Sequence, residues 1–394
     1  LSKKREQYNI SFFNEEKKMI FFNIVIIGKL KMSSMNYKDK IDLKKDSRLV
    51  CLVNHGQFGL QNIGNTCFMN TALQCLSAID FFSAYFLSDR YLNDINKKPQ
   101  AEFVRAYVRF LKNSWEDNDC IVSPRLLKET LGKFYDPYSG FRQNDAAECF
   151  NKIIELLHEG SSYAVSIEYD TKKGRLLTES EKMECASVEC TKMHFSRNYS
   201  IPVKLFYGQF QNRVICVECK KISMYYEPFS MINLPICDKT NTLFDCIDKY
   251  TSFEIMDGVN KYSCGNCKKE TIGKKKIMVW KMPPVLVLSL NRFSGSRKID
   301  KYIDFPINRA IFNNLVQNEN AKNVVYDLVA VANHSGGLSG GHYWAYTKGT
   351  NGKWFDCNDE NCSEITNESS IVSNSAYFLV YKKRSVSAEI VLSS

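Results

Sequence analysis

The chain has 394 residues, 44% of them hydrophobic and 13% aromatic, enough apolar material for one large or two ordinary packed domains. Nine prolines and nineteen glycines form no low-complexity tract and no internal period is visible, which excludes a disordered chain, a solenoid and a linker array. The formal charge of +10 is uneven: residues 1 to 48 hold twelve Lys/Arg against six Asp/Glu, and no helical stripe of basic and aromatic residues in the body points to nucleic acid.

Residues 1–50 read as a basic, mobile leader. Its longest apolar run, Met19 to Gly28, is about half the roughly 20 residues that a membrane-spanning helix needs. Glu15 and Glu16 precede that run and no small-residue cleavage site follows before Lys29, which argues against a secretory signal. Met32 and Met35 offer alternative starts. From Phe58 the pattern becomes structured. Gly59, Gly64 and Asn65 punctuate a loop, after which Phe68, Met69, Ala72, Leu73, Leu76 and Ile79 recur at helical spacing and predict a helix from Cys67 to Ile79. Ala101 to Trp115 is predicted helical. Another helix is predicted from Asp145, with Glu148 at capping-box spacing and Phe150, Ile153, Ile154 and Leu157 on its buried face.

Beyond about residue 195 the character changes to short strands: Gln209 to Ile215, Lys276 to Trp280, Val285 to Leu290, Asp327 to Asn333, His342 to Thr347 and Tyr377 to Tyr381. Phe244 to Tyr250 is predicted as a short helix among them. A helix-rich first half followed by a strand-rich second half predicts an α+β fold whose working parts come from both.

Cys67 is predicted at the first turn of its helix, where unpaired backbone N–H groups and the helix dipole favour a thiolate. The small polar residues ahead of it can set donors around a developing oxyanion. A thiolate nucleophile needs a base, and the chain has five histidines. His158 ends a helix, while His55 and His194 have no supporting pattern. His334 and His342 bracket the glycine-rich segment Ser335 to Gly341, and His342 begins a strand that would hold an imidazole rigidly. Trp354 to Glu360, a short hairpin away, offers Asp356, Asn358, Asp359 and Glu360 as groups to orient that imidazole.

Fifteen cysteines, an odd number, include Cys216-Val217-Glu218-Cys219 and Cys264-Gly265-Asn266-Cys267. Two such turns can build a tetrahedral four-cysteine site for a structural zinc ion, and the pattern fits a reducing compartment, cytoplasmic or nuclear. The 44 residues between the pairs require an insertion in the ribbon. Cys185, Cys190 and His194 form a looser candidate for a second metal.

Together these blocks resemble the ubiquitin-specific protease family across almost all of residues 57 to 382. Gly59 to Asn70 is similar to that family's cysteine box, Gln143 to Phe150 to its Gln/Asp box with Asn144 and Cys149 at variable points, and Gly340-Gly341-His342-Tyr343 to its histidine box. Leu288 to Phe293 is also family-like. The resemblance implies a papain-like cysteine protease with thumb, palm and zinc-ribbon fingers. The catalytic domain would run over 51–384, with the thumb at about 57–170, the fingers at about 205–285, the palm from the rest, and a tail at 385–394. It further implies Cys67 as nucleophile, His342 as base and Asn62 as side-chain donor of the oxyanion hole. Counting from Trp354, it implies Asn358 as the third triad member and Asp359 as a supporting group or the true orienter, with Asp356 the outsider. Ubiquitin would lie on palm and fingers and thread its C-terminal glycines between thumb and palm, past Asp145, past Gly340 and Gly341, and past the loop Ser294 to Tyr302. The implied reaction is hydrolysis of the isopeptide or peptide bond after ubiquitin's terminal glycine through an acyl-enzyme. A protease for another ubiquitin-like modifier and an inactive ubiquitin-binding scaffold are the alternatives, with a basic nucleic-acid-binding ribbon third.

Overall fold

A computed structural model of the chain describes residues 8–10, 22–24, 57–116, 121–167, 177–294, 297–337 and 340–385. Of the leader, the described part is the antiparallel pairing of Tyr8–Ile10 with Phe22–Ile24. The rest of the leader, residues 386–394 of the tail, residues 295–296 of the Ser294 to Tyr302 loop and residues 338–339 of the glycine-rich segment lie outside the described residues.

The apolar spacing after Cys67 does make a helix, Cys67–Ser77, but it has no wet face: all eleven residues are buried. Helices Asp80–Leu87 and Ala146–Gly160 cover it on one side, and the strands that carry the candidate histidine pack on the other. Its polar side chains therefore need internal partners. Gln74 finds one by donating to the Phe58 carbonyl at 2.6 Å. Helix Ala101–Glu116 packs on Ala146–Gly160, whose N-cap is Asp145. The Asp145 Oδ1 accepts the backbone N–H groups of Ala147 at 2.8 Å and Glu148 at 2.9 Å, a one-sided cap in place of the reciprocal box that the spacing suggested.

The central sheet has eight strands. Seven run in the order Asn361–Ile365, Trp354–Asn358, Gly340–Lys348, Val325–Gly337, Ala376–Lys383, Val285–Asn291 and Ile232–Pro235, and Ala310–Ile311 pairs onto Val325–Gly337. All of these pairings are antiparallel except the last in the row, Ile232–Pro235 beside Val285–Asn291. Val285–Asn291 lies inside the sheet with its first six residues buried, so it reads as an apolar run without alternation, broken only by Ser289. One face of the sheet carries the helical layer and the larger core, and the other carries helix Leu243–Tyr250 and a second core.

A separate four-stranded antiparallel sheet, ordered Ile222–Phe229, Gly208–Cys216, Gly273–Lys281 and Glu254–Met256, forms the fingers, with the hairpin Tyr262–Cys264 and Lys269–Thr271 at its end. The helical thumb, the central sheet as palm and these fingers are the papain-like arrangement that the family resemblance implies. No helix among the described residues is long and apolar enough to cross a membrane.

Candidate active site

The alternation of a strand puts His342 and Trp344 on one face of Gly340–Lys348 and Tyr343 and Ala345 on the other. The rings of His342 and Trp344 stack at 6.3 Å and 13°. Ala345 lies opposite Cys357 in the register, so Asn358, one step on, is the diagonal neighbour of His342. The contact follows: His342 Nε2 and Asn358 Oδ1 are 2.7 Å apart. Because an amide oxygen can only accept, Nε2 carries the proton and Nδ1 is left with its lone pair.

Cys67 begins the neighbouring helix and its thiol lies against the backbone N–H of Tyr343, the residue after His342. Burial, helped by the charge of Asp359, pushes the thiol pKa above its ordinary value, and together they outweigh the lowering by the N–H groups of Tyr343, Phe68 and Cys67 itself. The sequence expectation of a favoured thiolate at the helix start is thus reversed in this state, because a side chain only 3% exposed loses more hydration than the helix end returns. Among the described residues no hydrogen bond joins the thiol to the imidazole. The structure brings the two onto adjacent, packed elements.

Among the described residues no hydrogen bond joins Asp359 to His342. Asp359 occupies the two-residue turn after Asn358 with φ of 47°, and its carboxylate takes two amides from the Cys67 segment. Asn62 Nδ2 donates to Oδ2 at 2.8 Å and Asn70 Nδ2 donates to Oδ1 at 2.8 Å. The turn is locked further by Leu60 N donating to the Asp359 carbonyl at 2.6 Å and Asn62 N donating to Glu360 Oε1 at 2.7 Å. Gly59 makes this approach possible, since a Cβ there would stand 2.0 Å from the Glu360 carbonyl oxygen. Asn62 Oδ1 accepts the backbone N–H groups of Gly64 and Thr66, each at 3.2 Å, so one side-chain N–H of Asn62 remains for another acceptor. Asp356 lies apart from His342, with a buried Oδ1 that has no partner and a pKa raised by burial.

Residue types and spacing give Gln143 no role of its own, yet it is part of the site. Gln143 Nε2 donates to the Gly341 carbonyl at 3.0 Å and its Oε1 accepts the Gly341 N–H at 3.1 Å, so one side chain caps both backbone groups beside His342. Its place in the block ahead of Asp145 is the available signal. Gly341 is hemmed in as well: a Cβ would meet His334 Nε2 at 2.3 Å. His334 is packed among Phe293, Tyr343 and Tyr377, and burial and nearby Lys298 bring its pKa down to about 4. The second oxygen of Asp145 accepts the Tyr377 hydroxyl, and both residues line a groove with Glu148, Asn151, Met231 and Arg292. Gly340 is exposed at the start of its strand.

At the fingertips Cys216, Cys219, Cys264 and Cys267 converge, all four sulfurs lying within 4.8 Å of one another. Each Cys-x-x-Cys turn is closed by a lysine in the left-handed region, Lys220 at φ 61° and Lys268 at φ 57°, whose N–H returns to the carbonyl of the first cysteine. Metal–sulfur bonds of about 2.3 Å in a tetrahedron require sulfurs about 3.8 Å apart. Cys216 to Cys267 is 3.9 Å and Cys219 to Cys264 is 3.7 Å, so the four residues can hold a metal ion. The Thr271 hydroxyl, 3.3 Å from Cys216 Sγ, brings that thiol down to about 6. The insertion between the pairs is not local: the chain leaves the ribbon, contributes Ile232–Pro235 to the palm and helix Leu243–Tyr250 beneath it, and returns. Of the looser candidate only Cys190 and His194 come together, with Sγ and Nδ1 3.6 Å apart, and Cys185 does not join them in a metal-competent group. His194 Nδ1 lies 2.9 Å from the carbonyl of Cys190, and among the described residues the four ribbon cysteines are the one metal-competent group.

The family model for ubiquitin carboxyl-terminal hydrolase matches residues 58–381. Curated relatives include bovine ubiquitin carboxyl-terminal hydrolase 2, 32% identical over 340 residues that cover 83% of this chain and 55% of the relative. Human ubiquitin carboxyl-terminal hydrolase 21 is 31% identical over 354 residues, covering 84% of this chain and 62% of the relative. The chain thus spans a little over half the length of these relatives. Among solved structures, the SAGA DUB module of Ubp8, Sgf11, Sus1 and Sgf73 bound to monoubiquitin superposes with a TM-score of 0.68 at 25% identity, over 85% of this chain and 71% of that one. The same module bound to ubiquitin aldehyde gives 0.66 at 26% identity, with the same coverage.

Proposed function

This chain belongs to the ubiquitin carboxyl-terminal hydrolase family, and on that premise we propose that it is a deubiquitinase, hydrolysing the isopeptide or peptide bond after ubiquitin's C-terminal glycine. The observation that carries the reading is the set His342 Nε2 to Asn358 Oδ1 at 2.7 Å with the Cys67 thiol against the next residue of the same strand. The free nitrogen of that imidazole, Nδ1, is the base. It takes the thiol proton as sulfur attacks the glycine carbonyl carbon, then gives it to the leaving amine, and the acyl-enzyme on Cys67 is released by water. The free N–H of Asn62 and the N–H groups at the helix start are the donors for the oxyanion. Asn358 holds the tautomer, and Asp359 holds Asn62.

Ubiquitin is the proposed partner, with its extended tail in the groove beside Asp145 and Glu148 and against the strand end at Gly340 and Gly341. Support comes from the two related structures that contain bound ubiquitin or ubiquitin aldehyde. The metal proposed for the four ribbon cysteines is zinc, in a structural role, since four thiolates fill a tetrahedral sphere and leave no position for water. The thiol-rich composition supports a reducing compartment, cytoplasm or nucleus. Intact-mass spectrometry after exposure to ubiquitin carrying a C-terminal electrophile tests substrate class and nucleophile together. The expected adduct maps to Cys67, and no adduct, or one on another cysteine, refutes the assignment.

A further inference from the structure

The hairpin of Trp354–Asn358 and Asn361–Ile365 carries a second chemical feature that the hydrolytic reaction does not use. Cys357 and Cys362 are directly opposite in its register, and their sulfurs are 3.3 Å apart. Opposite residues in an antiparallel pair have Cα atoms about 4.5 or about 5.5 Å apart, depending on the pair type. Both separations fall within the roughly 4.4–6.8 Å that a disulfide spans, so the strand spacing permits a bridge. No third metal-ligating group joins the pair among the described residues.

The two sulfurs are unequal. Cys357 is buried, with the Thr347 hydroxyl 3.3 Å from its sulfur, whereas Cys362 is only half-buried, on the last strand of the central sheet, and is the more accessible of the two. The Cys357 thiol lowers the pKa of Cys362, while the same contact and burial push Cys357 up. Cys362 is therefore the attacking sulfur and Cys357 the resolving one.

We propose that Cys357 and Cys362 form a reversible cross-strand disulfide, a thiol–disulfide modification site in the hairpin that presents Asn358 and Asp359. With glutathione disulfide as oxidant, the Cys362 thiolate attacks one sulfur and expels a glutathione thiolate, leaving a mixed disulfide. Cys357 then gives its proton to solvent and attacks the Cys362 sulfur, expelling the second glutathione. Two protein thiols become one disulfide as one glutathione disulfide becomes two thiols.

Trypsin tests this directly, because cleavage after Lys353 and Lys382 releases both cysteines on one peptide with no other cysteine. The folded full-length chain is equilibrated across ratios of oxidised to reduced glutathione, acid-quenched, alkylated and digested. The expected result is a peptide two hydrogens lighter and resistant to alkylation as the ratio rises, restored by dithiothreitol. Cys357→Ser should instead retain glutathione on Cys362. The proposal is overturned if the unmodified chain, folded by circular dichroism, stays alkylated at both positions across the whole range, or accumulates glutathione on Cys362 without closing the bridge.

Discussion

Replacing Asp359 with alanine separates a positioning carboxylate from a triad member. The change removes two hydrogen bonds of 2.8 Å, one from each side-chain amide of Asn62 and Asn70. Hydrogen bonds to a charged group are worth about 1.5–3 kcal/mol each, discounted here because Asp359 is only half-buried. Buried Asn70 keeps just two long contacts, at 3.3 and 3.4 Å to the Leu60 and Gln61 carbonyls, so the fold should lose about 1–3 kcal/mol. Catalysis should suffer through Asn62. Loss of one oxyanion donor costs about 10²–10³ in kcat, and that is the ceiling for a residue that acts only by holding the donor. The assay is hydrolysis of a fluorogenic ubiquitin substrate by Asp359→Ala, Asn62→Ala and the double variant, with kcat and KM resolved for each. The expectation is a fall in kcat with little change in KM, and a double variant no worse than about 10³. Multiplicative losses, or an Asp359→Ala enzyme within about twofold of the parent, would refute the reasoning.

Cys67→Ala should abolish hydrolysis and leave ubiquitin binding intact; turnover above a trace, followed with the same substrate, removes Cys67 from the mechanism. Asn358→Ala should lower kcat by more than Asn358→Asp, because aspartate keeps the acceptor that faces His342 Nε2 at 2.7 Å, and equal losses in the two variants would remove the acceptor role. Metal analysis should find about one zinc per chain, and a strong chelator should lower the melting temperature; zinc-free protein that is folded and active would falsify the structural assignment. Burial lowers the pKa of both His158 and His334 to about 4 from an ordinary 6.5. Their neutral forms therefore stabilise the fold fully above pH 6.5, and the contribution fades as pH falls toward 4, by about 2 kcal/mol for each between pH 7.5 and 5. Urea melts at the two values should show that loss, and His158→Gln should shrink it; an unchanged difference in the variant removes His158 from the account.

Much of the fold was legible where one periodicity dominates. Phe68 to Leu76 and Phe150 to Leu157 announce helices, and the apolar runs at Val285 and Tyr377 announce strands. What escaped had no such signal. Helix Glu179–Phe195 buries only Glu181, Ser187, Val188 and Cys190, too sparse a stripe to mark a period, and its Thr178 and Glu181 capping box was the readable clue. The buried circumference of Cys67–Ser77 could not be inferred either, since Asn70, Thr71 and Gln74 read as a polar face until the Phe58 carbonyl and the Asp359 carboxylate are known to meet two of them.

The site divides in the same way. Residue types and spacing make Cys67 and His342 candidates and the family resemblance gives them roles, but the division of labour between Asn358 and Asp359 is a fact of register. Asn358 ends a strand whose alternation puts it on the His342 face, diagonal to it. One residue later the chain is in a turn at φ 47°, and the Asp359 carboxylate is swung across to the loop ahead of Cys67. Two adjacent polar residues thus serve different elements because the strand stops between them. The family resemblance, counted from Trp354, ranks both as neighbours of the histidine, and only the end of pairing at Asn358 and Asn361 tells them apart. The same reasoning accounts for Gln143: its partner Gly341 is 198 residues away, and a side chain that bonds to backbone leaves no complementary residue type to find.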